Sequence, residues 1–182
     1  MNIFGFEQFG YEGSLVDVVT DRIRNRETAC INLIGLSDAQ IKGEVERVLC
    51  ALESSSLSLE DRTQYIVSLL PTDLKKESAN FDLAVALSVL DSGISEEEIL
   101  VMGELELSGK IRAVKNIVPA LETAYRAGIK KAVLPKCMEH VINETFGIKV
   151  LWADSLKDAF GLLEKDDEYC SKTEMDSGEE EK

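Results

Sequence analysis

From Phe81 to Leu90 the chain is apolar almost all round: Leu83, Ala84, Val85, Ala86, Leu87, Val89 and Leu90 leave no polar face. At 3.6 residues per turn this segment predicts a helix that must be covered on most sides, since any side facing solvent would hold apolar surface in water. A chain with such a helix has to surround it with other elements. At 182 residues there is material for one well-buried core, and hardly for two full domains.

The elements that could surround it are readable. Extended segments at 3–9 and 14–23, separated by Gly10 and Gly13, predict a hairpin. A third strand over 29–34 runs into Gly35-Leu36-Ser37-Asp38, where Ser37 or Asp38 can cap a helix with Ile41, Val45, Val48, Leu49 and Leu52 on one face and Lys42, Glu44, Glu46, Arg47 and Glu53 on the other. A strand over 63–70 stops at Pro71. After the apolar helix come a strand over 100–107, a turn at Ser108-Gly109, and a helix over 116–126 that Gly128 ends. Strands at 129–134 and 148–152 then alternate with helices at 137–144 and 154–163, with Trp152 and Phe160 as core residues. A meander followed by strand-helix-strand-helix predicts an α+β fold, a two-layer α/β domain.

The formal charge of −14 disfavours direct binding to nucleic acid, whose affinity for proteins comes largely from Lys and Arg on phosphates. Nucleic acid is expected only as an indirect partner. Residues 164–182 hold nine acidic and three basic residues and are too polar to bury a face, so the expected division is a domain over 1–163 and an acidic, disordered tail or linker over 164–182. Lys110, Arg112, Lys115, Lys130 and Lys131 form a modest basic cluster that reads as scattered surface charge. No run approaches the ~18 apolar residues of a membrane span and the amino terminus lacks the pattern of a signal peptide, so the expectation is a soluble, cytoplasmic protein without membrane contact. Cys30, Cys50, Cys137 and Cys170 are far apart and make no CxxC pair, with His140 the only imidazole; no metal site is expected, and the cysteines read as reduced thiols.

Two segments carry residue types suited to chemistry. Gly103 to Lys110 begins with glycine and ends in Gly-Lys, but five residues separate its glycines where a phosphate loop needs four, and Ile111 stands where a magnesium-binding Ser or Thr is required. No cofactor is expected here. The loop Lys75-Lys76-Glu77-Ser78-Ala79-Asn80 precedes the buried helix, where backbone amides and the helix dipole favour an anion. Ser78 beside Lys75 and Lys76 has the residue types of a Ser-Lys hydrolase, a mechanism that needs a desolvated lysine within reach of the hydroxyl. Adjacent lysines in a polar loop read as solvated, and the plainer reading is that Ser78 or Asn80 caps the helix while Asp82 favours its positive end.

Several of these segments, in order, resemble the amino-terminal domain of the magnesium-chelatase-like AAA+ proteins, the ComM/YifB family. Residues 34–48 match the family's "IVGLPDAAVKES.ERV" element, with Ser37 where proline is usual; residues 68–87 match "NLAPADL.KEG..FDLPIAL". Residues 103–119 match "GEL.L.G..RPV.G.LP", with Ala113 and Asn116 as departures, and residues 127–135 match "AGI...ILP". That domain is similar to the proteolytic domain of Lon, so the resemblance implies a Lon-like, ribosomal-protein-like fold: a mixed sheet packed with helices. It also implies where a catalytic Ser-Lys dyad would stand. The serine position falls on Asn80 and the lysine position on about Val118, with Lys115 one helical turn before it. An amide is no nucleophile and valine no base, so the resemblance implies a scaffold or regulatory domain without catalysis. Family members carry it beside an ATPase ring linked to DNA branch remodelling in recombination and transformation. ATP and Mg are then expected only in that AAA+ module, acting in cis or in trans. No phosphate loop follows here, so the chain is expected to be either a piece of such an ATPase or a stand-alone member. Homo-oligomerisation is compatible with either. The enzyme alternative is a divergent peptidase using Ser78 with Lys75, Lys76 or Lys115; the other is a stand-alone protein-interaction module.

Overall fold

A computed structural model describes the chain apart from residues 25, 26, 77, 92, 94, 95 and 177–182, and apart from the side chains of 78 and 167–176. The hairpin of β1 (Asn2–Phe9) and β2 (Glu12–Arg24) opens the chain. β3 (Cys30–Ile34), α1 (Asp38–Ser54) and β4 (Thr63–Leu70) follow as a crossover unit, then the apolar helix α2 (Asp82–Leu90) and β5 (Glu98–Val101). A small hairpin of β6 (Glu104–Leu105) and β7 (Ile111–Arg112) precedes α3 (Ile117–Arg126). β8 (Lys131–Pro135), β9 (Lys149–Ala153) and α4 (Leu156–Asp176) complete the fold.

The main sheet runs β3-β4-β2-β1-β5-β8-β9. β3–β4, β1–β5, β5–β8 and β8–β9 pair parallel, while β1–β2 and β2–β4 pair antiparallel, so the sheet is mixed and mostly parallel, packed with helices as expected. Alternation along each strand divides the core. Ile3, Val16, Val18, Ile31, Leu33, Tyr65, Val67, Leu69 and Ile99 point to α1, α2 and α4. Phe6, Leu100, Met102, Ala132 and Leu134 point the other way, to α3. The two expected layers thus gain a partial third, formed by α3 with Met138, Ile142 and Phe146 of the segment between β8 and β9. α2 is buried from Asp82 through Val89, as its apolar circumference demands.

Four sequence expectations need correction. The strand over 100–107 is broken: Met102 still donates its N–H to the Val133 carbonyl at 3.2 Å, then the chain leaves the sheet at Gly103, where a Cβ would lie 2.8 Å from Ile111 Cγ2 and 3.0 Å from Leu83 Cδ2. The helix over 137–144 is only a 3-10 turn at Lys136–Met138, since the β-branched Val141 and Ile142 disfavour its extension. Trp152 and Phe160 are half-buried and sit in the two different cores, not together. The exposed Cys50 and Cys137 are compatible with the reading of the cysteines as reduced thiols. The last helix continues from Leu163 to Asp176, because Asp166 reaches Lys131 and Lys149 on the strands beneath and fastens another turn. The remainder of the expected disordered tail, 177–182, lies outside the described residues.

Candidate functional site

The loop before α2 was the strongest sequence candidate for chemistry, and its neighbours are drawn from four elements. Residues 71–76 leave β4 and lie beside the start of α1, forming a cleft of about 610 Å³ lined by Gly35, Ser37, Gln40, Thr72, Asp73 and Lys76 among others. Gln40 acts twice here. Its Oε1 accepts the Ser37 N–H at 3.1 Å, closing a capping box on α1, and its Nε2 donates to the Lys76 carbonyl at 3.0 Å.

The two lysines part company. Lys75 is exposed as expected, but Lys76 is 2% exposed, against the expectation that both are solvated. Its Nζ donates to the carbonyls of Pro71 (2.5 Å), Leu74 (2.9 Å) and Gly35 (3.2 Å). These three donations use every N–H of an ammonium, leaving no lone pair for a base. Burial lowers the Lys76 pKa, against the charges of Asp73 and Glu7, which raise it. Gly35 makes the cage possible: at φ +106°, its missing Cβ would stand 2.5 Å from the Leu69 carbonyl oxygen.

A 3-10 turn, Ser78–Phe81, leads from this cage into α2. Neither Ser78 nor Asn80 occupies the helix cap; Phe81 does, without a side-chain bond, and the Leu83 N–H donates to the Gly103 carbonyl at 3.1 Å. The neighbouring chain segment supplies the acceptor that a capping side chain would have given. Asn80 is half-buried, and the Ser78 side chain lies outside the described residues. Val118 (40% exposed) and Lys115 (exposed) belong to α3 and its approach, on the opposite face of the sheet from α2. Lys115 and Val118 thus stand apart from the loop before α2, and Lys75, which belongs to that loop, is exposed.

Behind the same turn lies a charged cluster that sequence reasoning missed. Arg47 of α1 holds Asp82 at the start of α2 through Nε to Oδ2 at 2.9 Å and Nη2 to Oδ1 at 3.0 Å, and its Nη2 also reaches Glu44 Oε2 at 3.2 Å. The Leu105 N–H adds a bond to Asp82 Oδ2 at 3.1 Å. Glu44 and Asp82 are both fully buried. Burial, then the Asp82 charge and a hydrogen bond to it, push Glu44 up to about 10, with Arg47 opposing; burial also pushes Asp82 up, opposed by Arg47 and the Leu105 amide. Glu44 is therefore the carboxylic acid of the pair. The signal was present: Glu44 falls between Ile41 and Val48 on the apolar stripe of α1, and Asp82 is the acid in an otherwise apolar helix.

The Gly103 to Lys110 segment is a hairpin turn closed on itself, Gly109 N–H to Glu106 O at 2.8 Å and Glu106 N–H to Lys110 O at 2.9 Å. Among the basic residues, Lys131 is buried and paired with Glu97 and Asp166, and Arg112 reaches Glu106 at 3.8 Å. His140 is exposed. Among the described residues no group of His, Cys, Asp and Glu could hold a metal ion, and no helix is long and apolar enough to cross a membrane.

Comparison with known proteins matches residues 19–137 to the family described as ChlI, subunit ChlI of Mg-chelatase. The chain is 28% identical over 141 residues to the uncharacterised protein YifB of Escherichia coli, covering 74% of this chain and 27% of YifB. It is 29% identical over 100 residues to the competence protein ComM of Haemophilus influenzae, 52% of this chain and 19% of ComM. Lon protease 2 of Bacillus subtilis is 20% identical over 155 residues, 76% of this chain and 28% of the protease. The chain thus spans between about a fifth and three tenths of the lengths of these relatives.

Proposed function

The chain belongs to the family of subunit ChlI of Mg-chelatase, and from that premise we propose that it is a non-catalytic, Lon-like scaffold or regulatory domain that works with an AAA+ ATPase module, in cis or in trans, in the cytoplasm. The observation that carries this reading is the carbonyl cage of Lys76. The buried lysine nearest the expected nucleophile position spends all three N–H groups on Gly35, Pro71 and Leu74, and Asn80 stands where the resemblance places a serine. A general base must have a free lone pair within reach of the hydroxyl it activates. The kinship with a competence protein supports a role in DNA branch remodelling during recombination and transformation, with the ATPase making the DNA contact.

The test is labelling with a serine-directed fluorophosphonate, alongside hydrolysis assays on unstructured peptides and ATP titration by calorimetry. The expected outcome is no label, no hydrolysis and no ATP binding. Labelling that disappears in Ser78→Ala would replace this reading with that of a divergent Ser-Lys peptidase, and stoichiometric ATP binding would place a nucleotide site in this domain.

A further inference from the structure

Helices cover one face of the main sheet along its width, but on the other face α3 covers only part, over Phe6, Leu100, Ala132 and Leu134. Among the described residues no helix covers that side of the outer half, made by β3, β4 and the later part of β2. Val19, Ile23, Ile34 and Leu70 are 44%, 47%, 47% and 39% exposed there. Strand register puts them on one face. Val19 and Ile34 both stand opposite Ser68, Asp17 opposite Leu70, and Asp21 opposite Ile66, while Val18, Val67 and Leu33 alternate into the core behind.

The charge on this face has one sign. Asp17 and Asp21 alternate with Val19 and Ile23, and Glu98 of β5 joins Asp17 across Phe4 in a groove of about 370 Å³. Burial and then the neighbouring Glu98 raise the Asp17 pKa, so a cation set between the two would be stabilised by both. Arg22 alternates to the other side, where it donates to the Val89 carbonyl at 3.3 Å and lies over the Tyr65 ring. The described strand residues facing this surface include no Lys or Arg.

The shape suits one helix. Three strands span about 14 Å, against about 10 Å for a helix with its side chains, and the eight residues of β4 run about 26 Å, or nearly five helical turns. We propose that this bare half-face docks a basic amphipathic helix of a protein partner, its apolar stripe on Val19, Ile34, Ile66 and Leu70 and its Lys/Arg flank over Asp17, Asp21 and Glu98. Such a helix would lie beside α3 and complete the second helical layer. A second copy of this chain fits badly, because a net charge of −14 would face itself across the contact. Nucleic acid and anionic membranes are repelled for the same reason. The proposal rests on the regulatory-domain reading and names the chemistry of its partner.

The experiment titrates the isotope-labelled chain with a synthetic helix of leucine and lysine patterned at 3.6 residues per turn, followed by backbone amide shifts. A glutamate-for-lysine version, single-stranded DNA and anionic vesicles serve as competing ligands. Shifts concentrated on β2, β3 and β4 are expected, with binding about tenfold weaker in the Val19→Asn/Ile34→Asn double variant. Binding should also be weaker, with a shallower salt dependence, in Asp17→Asn, and unchanged in Val141→Asn. All four altered side chains are at least partly solvent-facing, and a melting curve for each variant confirms folding. Shifts centred elsewhere, equal binding of the glutamate peptide, full affinity in the double variant, or DNA or vesicles perturbing the face in place of the peptide would overturn the proposal. Fluorophosphonate labelling tells the two failures apart: a labelled serine removes the regulatory reading and with it the partner's regulatory role, while failed docking without label leaves that reading intact.

Discussion

Arg47 grips Asp82 with one edge of its guanidinium, Nε to Oδ2 at 2.9 Å and Nη2 to Oδ1 at 3.0 Å, and so ties α1 to the first turn of the buried α2. The carboxylate has no exposure of its own, whereas Arg47 keeps 28%. Removing the partner would strand a buried charge. Arg47→Ala is expected to destabilise the fold by roughly 3 kcal/mol, and Arg47→Lys to recover little, because an ammonium cannot make the paired, planar contact. Urea unfolding of the two variants checks this; a loss below ~1 kcal/mol in Arg47→Ala would show that Asp82 does not depend on it.

Glu44 gives the fold an unusual pH dependence. Its pKa is about 10 in the folded chain against an ordinary 4.5. A raised folded pKa contributes stability that is fully present below the unfolded value and is lost as pH rises towards the folded one, because the unfolded chain has released a proton that the folded chain keeps. Stability should therefore fall between pH 6 and 9 by up to about 1.4 kcal/mol per pH unit. Glu44→Gln, which keeps the shape and cannot ionise, should flatten that slope. Equal slopes in both proteins would mean that Glu44 is ionised in the fold.

Asp166 works in the opposite direction. Burial disfavours its charge, but hydrogen bonds from Lys131 and Lys149 hold it below the usual carboxylate range. Its contribution is present above the ordinary pKa of 3.8 and is lost as pH falls through the lowered value. Asp166→Ala leaves Lys131, 4% exposed, with Glu97 as its remaining partner. Amide exchange over 164–176 should speed up in this variant while α2 stays protected, since the fastening beyond Leu163 is lost.

Much of the architecture was legible because its signals are local. The apolar circumference of α2, the turn at Gly10 and the Ser37 start of α1 each act within a few residues, and the structure has them where periodicity and turn chemistry place them. What was missed depends on distant partners. Glu44 reads as polar surface until Asp82 and Arg47 meet it, Lys76 as solvated until three carbonyls converge on it, and the acidic continuation of α4 as a tail until Lys131 and Lys149 lie under Asp166. Single-residue polarity misassigns such groups, because a buried charge is stable only through partners that the linear chain does not display.

The close approach of the loop before α2 to β1 depends on Gly5. A Cβ there would lie 2.6 Å from Phe81 Cε1 and 2.7 Å from Cδ1, and Phe81 is fully buried. Gly5→Ala must displace the ring, at a cost of about 1–3 kcal/mol. Phe81→Leu in the Gly5→Ala background should recover part of that loss, and a double-mutant cycle measures how much.

The cage of Lys76 separates a structural lysine from a catalytic one. If its role is to join the 71–76 loop to Gly35, Lys76→Met should leave three inward carbonyls without their donor and cost roughly 3 kcal/mol. Lys76→Arg should do little better, because a planar fork cannot point its N–H groups at three converging oxygens. Both losses should appear in unfolding curves without any accompanying change in fluorophosphonate reactivity. A lysine serving as a base would behave otherwise: reactivity would vanish in Lys76→Met and the wild-type labelling rate would climb through the lowered lysine pKa. The hydrogen bonds to Gly35, Pro71 and Leu74 predict the first pattern, since an ammonium with every proton engaged must break from its cage before it can accept another.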